Sequence, residues 1–103
     1  MHFLVTAYDG KDAQAPARRQ AVRQQHLEGV KQAIKAGRHL YAAAILDDAQ
    51  NMIGSIMIVD YPTKEALFGE WLNSEPYITG NVWQEIDIKP CMVPGFFLDK
   101  NLV

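Results

Sequence analysis

The segment RQQHLEGV, residues 23–30, sets a histidine among residues spaced to pack a helix against a neighbouring layer. At 100° per residue, with Val22 at 0°, Ala33 falls at about 20°, Val30 at about 80° and Ile34 at about 120°. His26, at about 40°, lies inside that apolar arc, and Arg19 and Arg23 share it at about 60° and 100°. Glu28, Lys31, Gln32 and Lys35 lie mostly outside it. A core-facing stripe that carries two arginines and a histidine is locally inconsistent, and such inconsistencies concentrate at functional sites. The N-terminal half of the stripe is expected to meet a polar pocket and the C-terminal half the dry core. Histidine suits proton transfer there, since its ordinary pKa of about 6.5 keeps both forms accessible near neutrality. A carboxylate on one ring nitrogen would fix the tautomer and stabilise the imidazolium, leaving the other nitrogen for a substrate. The same pattern is also that of a hydrogen-bonded structural histidine. The arginines could equally lay their stems on the sheet and hold their heads in water.

These residues need elements to position them. His2 to Asp9 is rich in β-branched and aromatic residues and reads as a strand, ended by Asp9-Gly10. Pro16 suits a helix start, and Gly37 supplies a stop after Ala36. Arg38 to Leu46 and Met52 to Tyr61 are apolar runs joined by the polar DDAQN, which suits a hairpin loop. Thr63 is the expected N-cap of a shorter helix that Pro76 stops at about Ser74. A last strand falls near Val82 to Pro90, with Val82, Gln84, Ile86 and Ile88 alternating against Trp83, Glu85, Asp87 and Lys89. The order βαββαβ predicts an α+β, ferredoxin-like domain: a four-stranded antiparallel sheet with two helices on one face. The third strand is apolar on both alternations, with Met52, Ile56 and Ile58 on one side and Ile53, Met57 and Val59 on the other. A sheet with a wet face should show polar residues on it, so the uncovered face is expected to pack on a second copy, making a homodimer.

Composition removes several functions. The 103 residues make one domain's worth of chain, 49% hydrophobic and 21% charged, which argues against disorder. The net charge is −2 and the ten Lys and Arg are scattered, so no nucleic-acid partner is expected. No apolar stretch approaches the ~20 residues of a membrane helix, and the start lacks the pattern of a signal peptide. The lone Cys91 fits a reducing compartment, and a cytoplasmic protein is expected. His2, His26 and His39 lack metal-ligand spacing, and there is no phosphate loop or dinucleotide fingerprint, so neither metal nor cofactor is expected. Trp71 and Trp83 read as core.

The chain resembles the YciI-like (YCII-related) family of small proteins. The resemblance is carried by Tyr8-Asp9, VRQQHL (Val22 to Leu27), Gly54-Ser55, WLNSEPYI (Trp71 to Ile78) and IDIKP (Ile86 to Pro90), in order over residues 1 to about 90. Residues 1–103 are then one such domain, with 91–103 as a C-terminal extension beyond the resemblance. The resemblance implies a dimeric α+β barrel and a histidine–carboxylate pair beside a pocket for small, often aromatic-derived molecules. His26 matches the family histidine. Glu75 stands where many relatives have aspartate before Pro-Tyr, and Asp9 matches a second family acid, so either is a candidate partner.

Two functions follow. The first, which the resemblance implies, is a cofactor-free lyase or isomerase acting on an oxygenated ring compound, by dehydrochlorination of a chlorinated hydroxyhydroquinone or a muconolactone-type isomerisation. His26 and Glu75 would be its catalytic residues. Arg19 or Arg23 would hold a phenolate or carboxylate, and Asp9, the Ser55 hydroxyl and the Tyr77 phenol would complete the substrate contacts. Ser55 belongs to no nucleophile motif, so covalent catalysis is not expected. The second is a non-catalytic ligand-binding or interaction module, because fold does not fix function. In the tail, Phe96 and Phe97 are expected to pack plainly, with closure of the pocket or a dimer contact as the alternatives.

Overall fold

A computed structural model describes residues 1–99 and Asn101, so the end of the C-terminal extension (Lys100, Leu102, Val103) lies outside the described residues. The first strand, β1, spans His2–Asp9, and the helix α1 runs Ala15–Lys35. The hairpin pairs β2, His39–Leu46, with β3, Met52–Asp60. After it come α2, Lys64–Glu70, a 3-10 turn at Leu72–Ser74 and a one-turn α3, Pro76–Thr79. The strand β4, Trp83–Cys91, and a short α4, Gly95–Leu98, follow. The sheet is antiparallel throughout in the order β2-β3-β1-β4, the ferredoxin-like arrangement.

Local chemistry accounts for the element ends. Gly37 has φ +76°, its N–H bonds the Ile34 carbonyl, and the Arg38 N–H reaches back to the Ala33 carbonyl. That is the left-handed cap which a Cβ would disfavour. In the hairpin, one Asp47 oxygen accepts the N–H groups of Ala49 and Asn51. The Thr63 hydroxyl accepts the Ala66 N–H at 3.1 Å, the expected N-cap. The second helical segment is broken where one shorter helix was expected: Pro76 ends the 3-10 turn, but its fixed φ then starts α3, with the Glu75 side chain capping the Tyr77 N–H.

Phe3, Val5 and Ala7 of β1 and Met57 and Val59 of β3 turn inward under Leu67, Trp71, Leu72, Tyr77 and Val82 to form one core. The opposite face of the sheet carries Ile56, Ile58, Tyr41 and Ala43, with Tyr41 72% exposed. Three expected orientations change, although Trp83 is core as expected. Ile34, at the margin of the α1 stripe, is 56% exposed. Met52 leaves its predicted partners Ile56 and Ile58 and lines the site cavities, beyond a register shift between Ile45 and Leu46. A shift between Tyr8 and Asp9 pairs Trp83 with Asp9, so a bulge at Gln84 turns Trp83 into the core beside Ile86's face rather than away from it. Phe96 and Phe97 lean on each other, ring centroids 4.9 Å apart, yet both are exposed, so the tail aromatics do not pack plainly into the domain.

His39 is buried at the start of β2, edge-on to Trp71 with ring centroids 4.6 Å apart. Its Nε2 lies 3.4 Å from the Tyr61 hydroxyl, and its Nδ1 has no partner among the described residues. Burial disfavours the imidazolium and lowers the pKa from 6.5 to about 4, against the opposing pull of Glu75. The unfolded chain binds this proton near pH 6.5 and the folded chain only near 4, so stability falls as pH drops through that window. The loss is expected to reach at most about 3 kcal/mol by pH 4. Urea midpoints measured from pH 7 to 4 should show that slope in the native chain and a weaker one in His39→Phe.

Candidate functional site

Glu75 sits between the 3-10 turn and α3 with its side chain 2% exposed. A carboxylate so buried must have its oxygens satisfied. Its Oε1 is 2.6 Å from His26 Nδ1 and accepts the Tyr77 N–H at 3.2 Å, while Oε2 accepts the Trp71 indole N–H at 2.9 Å. Nδ1 therefore donates to the carboxylate, and in the neutral ring Nε2 is left as the acceptor. The imidazole is clamped in plane as well, stacked on Tyr77 at 3.9 Å and 12° and meeting Trp83 edge-on at 5.7 Å.

Asp9, the rival acid, does something else. It lies at the end of β1, where both its oxygens accept from Arg19 Nη1 at 2.8 and 2.9 Å. Arg19 Nη2 donates to the Ser55 hydroxyl at 3.1 Å and the Gly54 carbonyl at 3.3 Å. A Cβ on Gly54 would sit 2.5 Å from the Ala7 carbonyl oxygen, so only glycine lets β3 lie this close to β1 beneath the guanidinium. The Ser55 hydroxyl also accepts the Trp83 indole N–H at 3.2 Å. The Arg19–Asp9 pair is almost fully buried, and the guanidinium lies over the Tyr77 ring at 4.8 Å.

These groups wall a recess of about 170 Å³ between α1 and the sheet, lined by Arg19, Arg23, His26, Leu27, Val30, Ala42, Ala43, Ala44, Met52, Ser55, Met57 and Tyr77. The alanine run of β2 makes the room: larger side chains at Ala42 and Ala44 would fill it. A wider open cleft of about 660 Å³ adjoins it between the β1 end, the start of α1 and the hairpin loop, and Arg19, Arg23 and Met52 line both. Arg23 is half-buried and forms no ion pair or side-chain hydrogen bond among the described residues. Burial raises the pKa of the Tyr77 phenol, a shift which the charges of Arg19 and Arg23 partly oppose.

The structure thus brings His26, Arg19, Arg23, Ser55 and Tyr77 to one recess and puts Glu75 directly behind His26. Asp9 backs Arg19 and reaches only the wider cleft. The two tryptophans, read as core, are core residues whose indole N–H groups also serve the site. The spacing of Trp71 and Glu75, four residues apart, was the available signal for one of them. No group of three or more His, Cys, Asp or Glu among the described residues is placed to hold a metal ion. No described helix is long and apolar enough to cross a membrane.

Comparison with solved structures shows the same fold elsewhere at low identity. The 5-chloro-2-hydroxyhydroquinone dehydrochlorinase of Burkholderia phenoliruptrix AC1100, in complex with 2,5-dihydroxybenzoquinone, superposes with TM-score 0.68 at 16% identity, over 92% of this chain and 97% of that one. A Deinococcus radiodurans protein, provisionally described as an antibiotic biosynthesis monooxygenase, superposes with TM-score 0.51 at 12% identity, over 91% and 95%. No curated protein matches the chain. The model of the YCII-related domain matches residues 1–92, and the chain belongs to that family.

Proposed function

We propose that this protein is a cofactor-free enzyme that moves a proton on a small oxygenated ring compound, with His26 as the proton carrier. The observation that carries the reading is the 2.6 Å contact between His26 Nδ1 and the buried Glu75, at the wall of a ligand-sized recess. An apolar cavity of about 150 Å³ takes up benzene, so about 170 Å³ suits one six-membered ring with small substituents. Nε2 accepts the proton, and Glu75 holds the tautomer and stabilises the imidazolium that results. In a dehydrochlorination the substrate loses H⁺ to Nε2 and chloride departs with the electron pair of the C–Cl bond. The net loss of HCl needs no outside oxidant. In a muconolactone-type isomerisation the same nitrogen takes a proton from one carbon and returns it to another. The dehydrochlorinase with the same fold supports the first version of this chemistry. Ser55, whose oxygen already accepts two bonds, keeps its own O–H to donate to a substrate oxygen, as does the Tyr77 phenol. The site is intracellular in this reading, in keeping with the single Cys91.

A second copy completes the fold. The exposed apolar face of Tyr41, Ala43, Ile56 and Ile58 fits a sheet-on-sheet homodimer.

The acid–base role is tested on His26→Asn, with chloride release from 5-chloro-2-hydroxyhydroquinone and isomerisation of muconolactone as the assays. Turnover is expected to fall ~10²–10⁴-fold while 2,5-dihydroxybenzoquinone still binds; turnover near the native rate would remove His26 from the chemistry. Asp9→Ala acts on stability instead. It strands the Arg19 guanidinium without its counter-ion and should cost about 3–5 kcal/mol in denaturant titrations. Sedimentation velocity at micromolar concentration should return a dimer, and Ile56→Lys, which charges the exposed face, should shift it to monomer.

A further inference from the structure

Arginine was expected to hold an anion in this site, and two arginines reach it. They are not equivalent. Arg19 has its Nη1 on both Asp9 oxygens and its Nη2 on Ser55 and Gly54, so its charge and four of its contacts are already satisfied inside the fold. Arg23, one helical turn on, has none of these partners among the described residues, and it is half-buried at the junction of the recess and the wider cleft. No carboxylate lines the recess. Asp9 and Glu75 stand behind Arg19 and His26. The wider cleft is also lined by Lys11, by Asp12, which pairs with Arg18, and by Asp47, whose oxygens are taken by Ala49 and Asn51. The recess therefore has one uncompensated cation at its mouth, beside a half-apolar floor of Ala42, Ala44 and Met57.

We infer that the substrate of this site is a monocyclic carboxylic acid, its ring in the recess and its carboxylate on the Arg23 guanidinium. This rests on the ring-binding part of the reading above and, since a chlorinated hydroxyhydroquinone carries no carboxylate, favours the lactone version of that chemistry. A carboxylate suits better than a phenol oxygen on two counts. It carries a full charge near neutrality, whereas a phenol does not. Its two oxygens also match the planar donor fork of a guanidinium. The recess suits one six-membered ring, and Arg23 stands where it meets the wider cleft, so a carboxylate on that ring reaches the guanidinium by projecting towards the cleft.

The test compares 2,5-dihydroxybenzoate with 1,4-dihydroxybenzene, two probes that differ by the carboxylate, titrated into the full chain by calorimetry. The native chain is expected to bind the benzoate at least tenfold more tightly. Arg23→Gln should lower affinity for the benzoate about 10- to 100-fold and leave the neutral ring within twofold. Arg23→Lys keeps the charge without the fork and should fall between, which also covers a Gln variant that fails to fold. Equal affinity of the native chain for the two rings, an unaffected benzoate in Arg23→Gln, or no benzoate binding at millimolar concentration overturns the inference. Its failure is separable from that of the acid–base reading. The probes are not turned over in this assay, and His26→Asn leaves the Arg23 carboxylate contact intact.

Discussion

The Glu75 carboxylate is the constraint on which the site depends. A charge with 2% of its side chain exposed persists only if its lone pairs are met, and three donors from three places meet them: the imidazole of α1, the indole of Trp71 and the backbone of Tyr77. The geometry follows from one sequence step, Glu75-Pro76. Pro76 opens α3 and removes one N–H, Glu75 caps the next free N–H with its own side chain, and the longer glutamate arm still reaches His26. An aspartate in that place would be one methylene shorter. The indole bond to the second oxygen then holds the carboxylate plane steady, so that the ring it faces has one orientation available.

A second polar node, Arg19 with Asp9 and Ser55, sits beside the first and is joined to it through aromatic rings. Tyr77 stacks on His26 and lies under Arg19, while Trp83 touches both rings and donates to Ser55. The two nodes differ in what they leave free. At Arg19 both terminal nitrogens bond inside the protein and only the buried Nε has no partner among the described residues, so the node ties β1, β3 and α1 together and holds Ser55. At His26 only Nδ1 is engaged by the described residues, and Nε2 is left without a hydrogen-bond partner beside the recess. Buried polar groups of similar composition thus divide into one node closed within the fold and one with a ring nitrogen left over.

Much of this was legible in the residues. The strands, α1 and their order follow from period-2 and period-3.6 spacing with Gly37, Thr63 and Pro76 as punctuation, and the misplaced polar stripe on α1 located the recess. The alternation rule failed at Trp83 because a bulge inserts one residue, which no period-2 pattern encodes. It failed at Met52 for the same reason, at the same end of the strands but in the β2–β3 pair. The choice between Asp9 and Glu75 was not decidable from spacing, since both are distant from residue 26 in sequence; only the return of the chain through the 3-10 turn places Glu75 within reach. Ile34 misled because it lies at the margin of the stripe, where helical angle alone does not decide burial.

A thin domain has to offset a recess of this size in its helical face. A chain of 103 residues buries only about two thirds of its unfolded surface, and space over Ala42, Ala44 and Ser55 forgoes apolar burial that larger residues would supply. The deficit is offset on the other side of the sheet's helical face, where Tyr61, Trp71, Tyr77 and Trp83 pack as one aromatic cluster with Phe3, Val5, Met57 and Val59. Aromatic residues bury the most area per position, so a few of them can carry the core while β2 is kept small. The large residues sit under the broken second helix, and the small ones of β2 face α1 between Arg19 and Val30, with Met57 and Tyr77 shared by the core and the recess. His26, stacked on Tyr77, stands at that boundary.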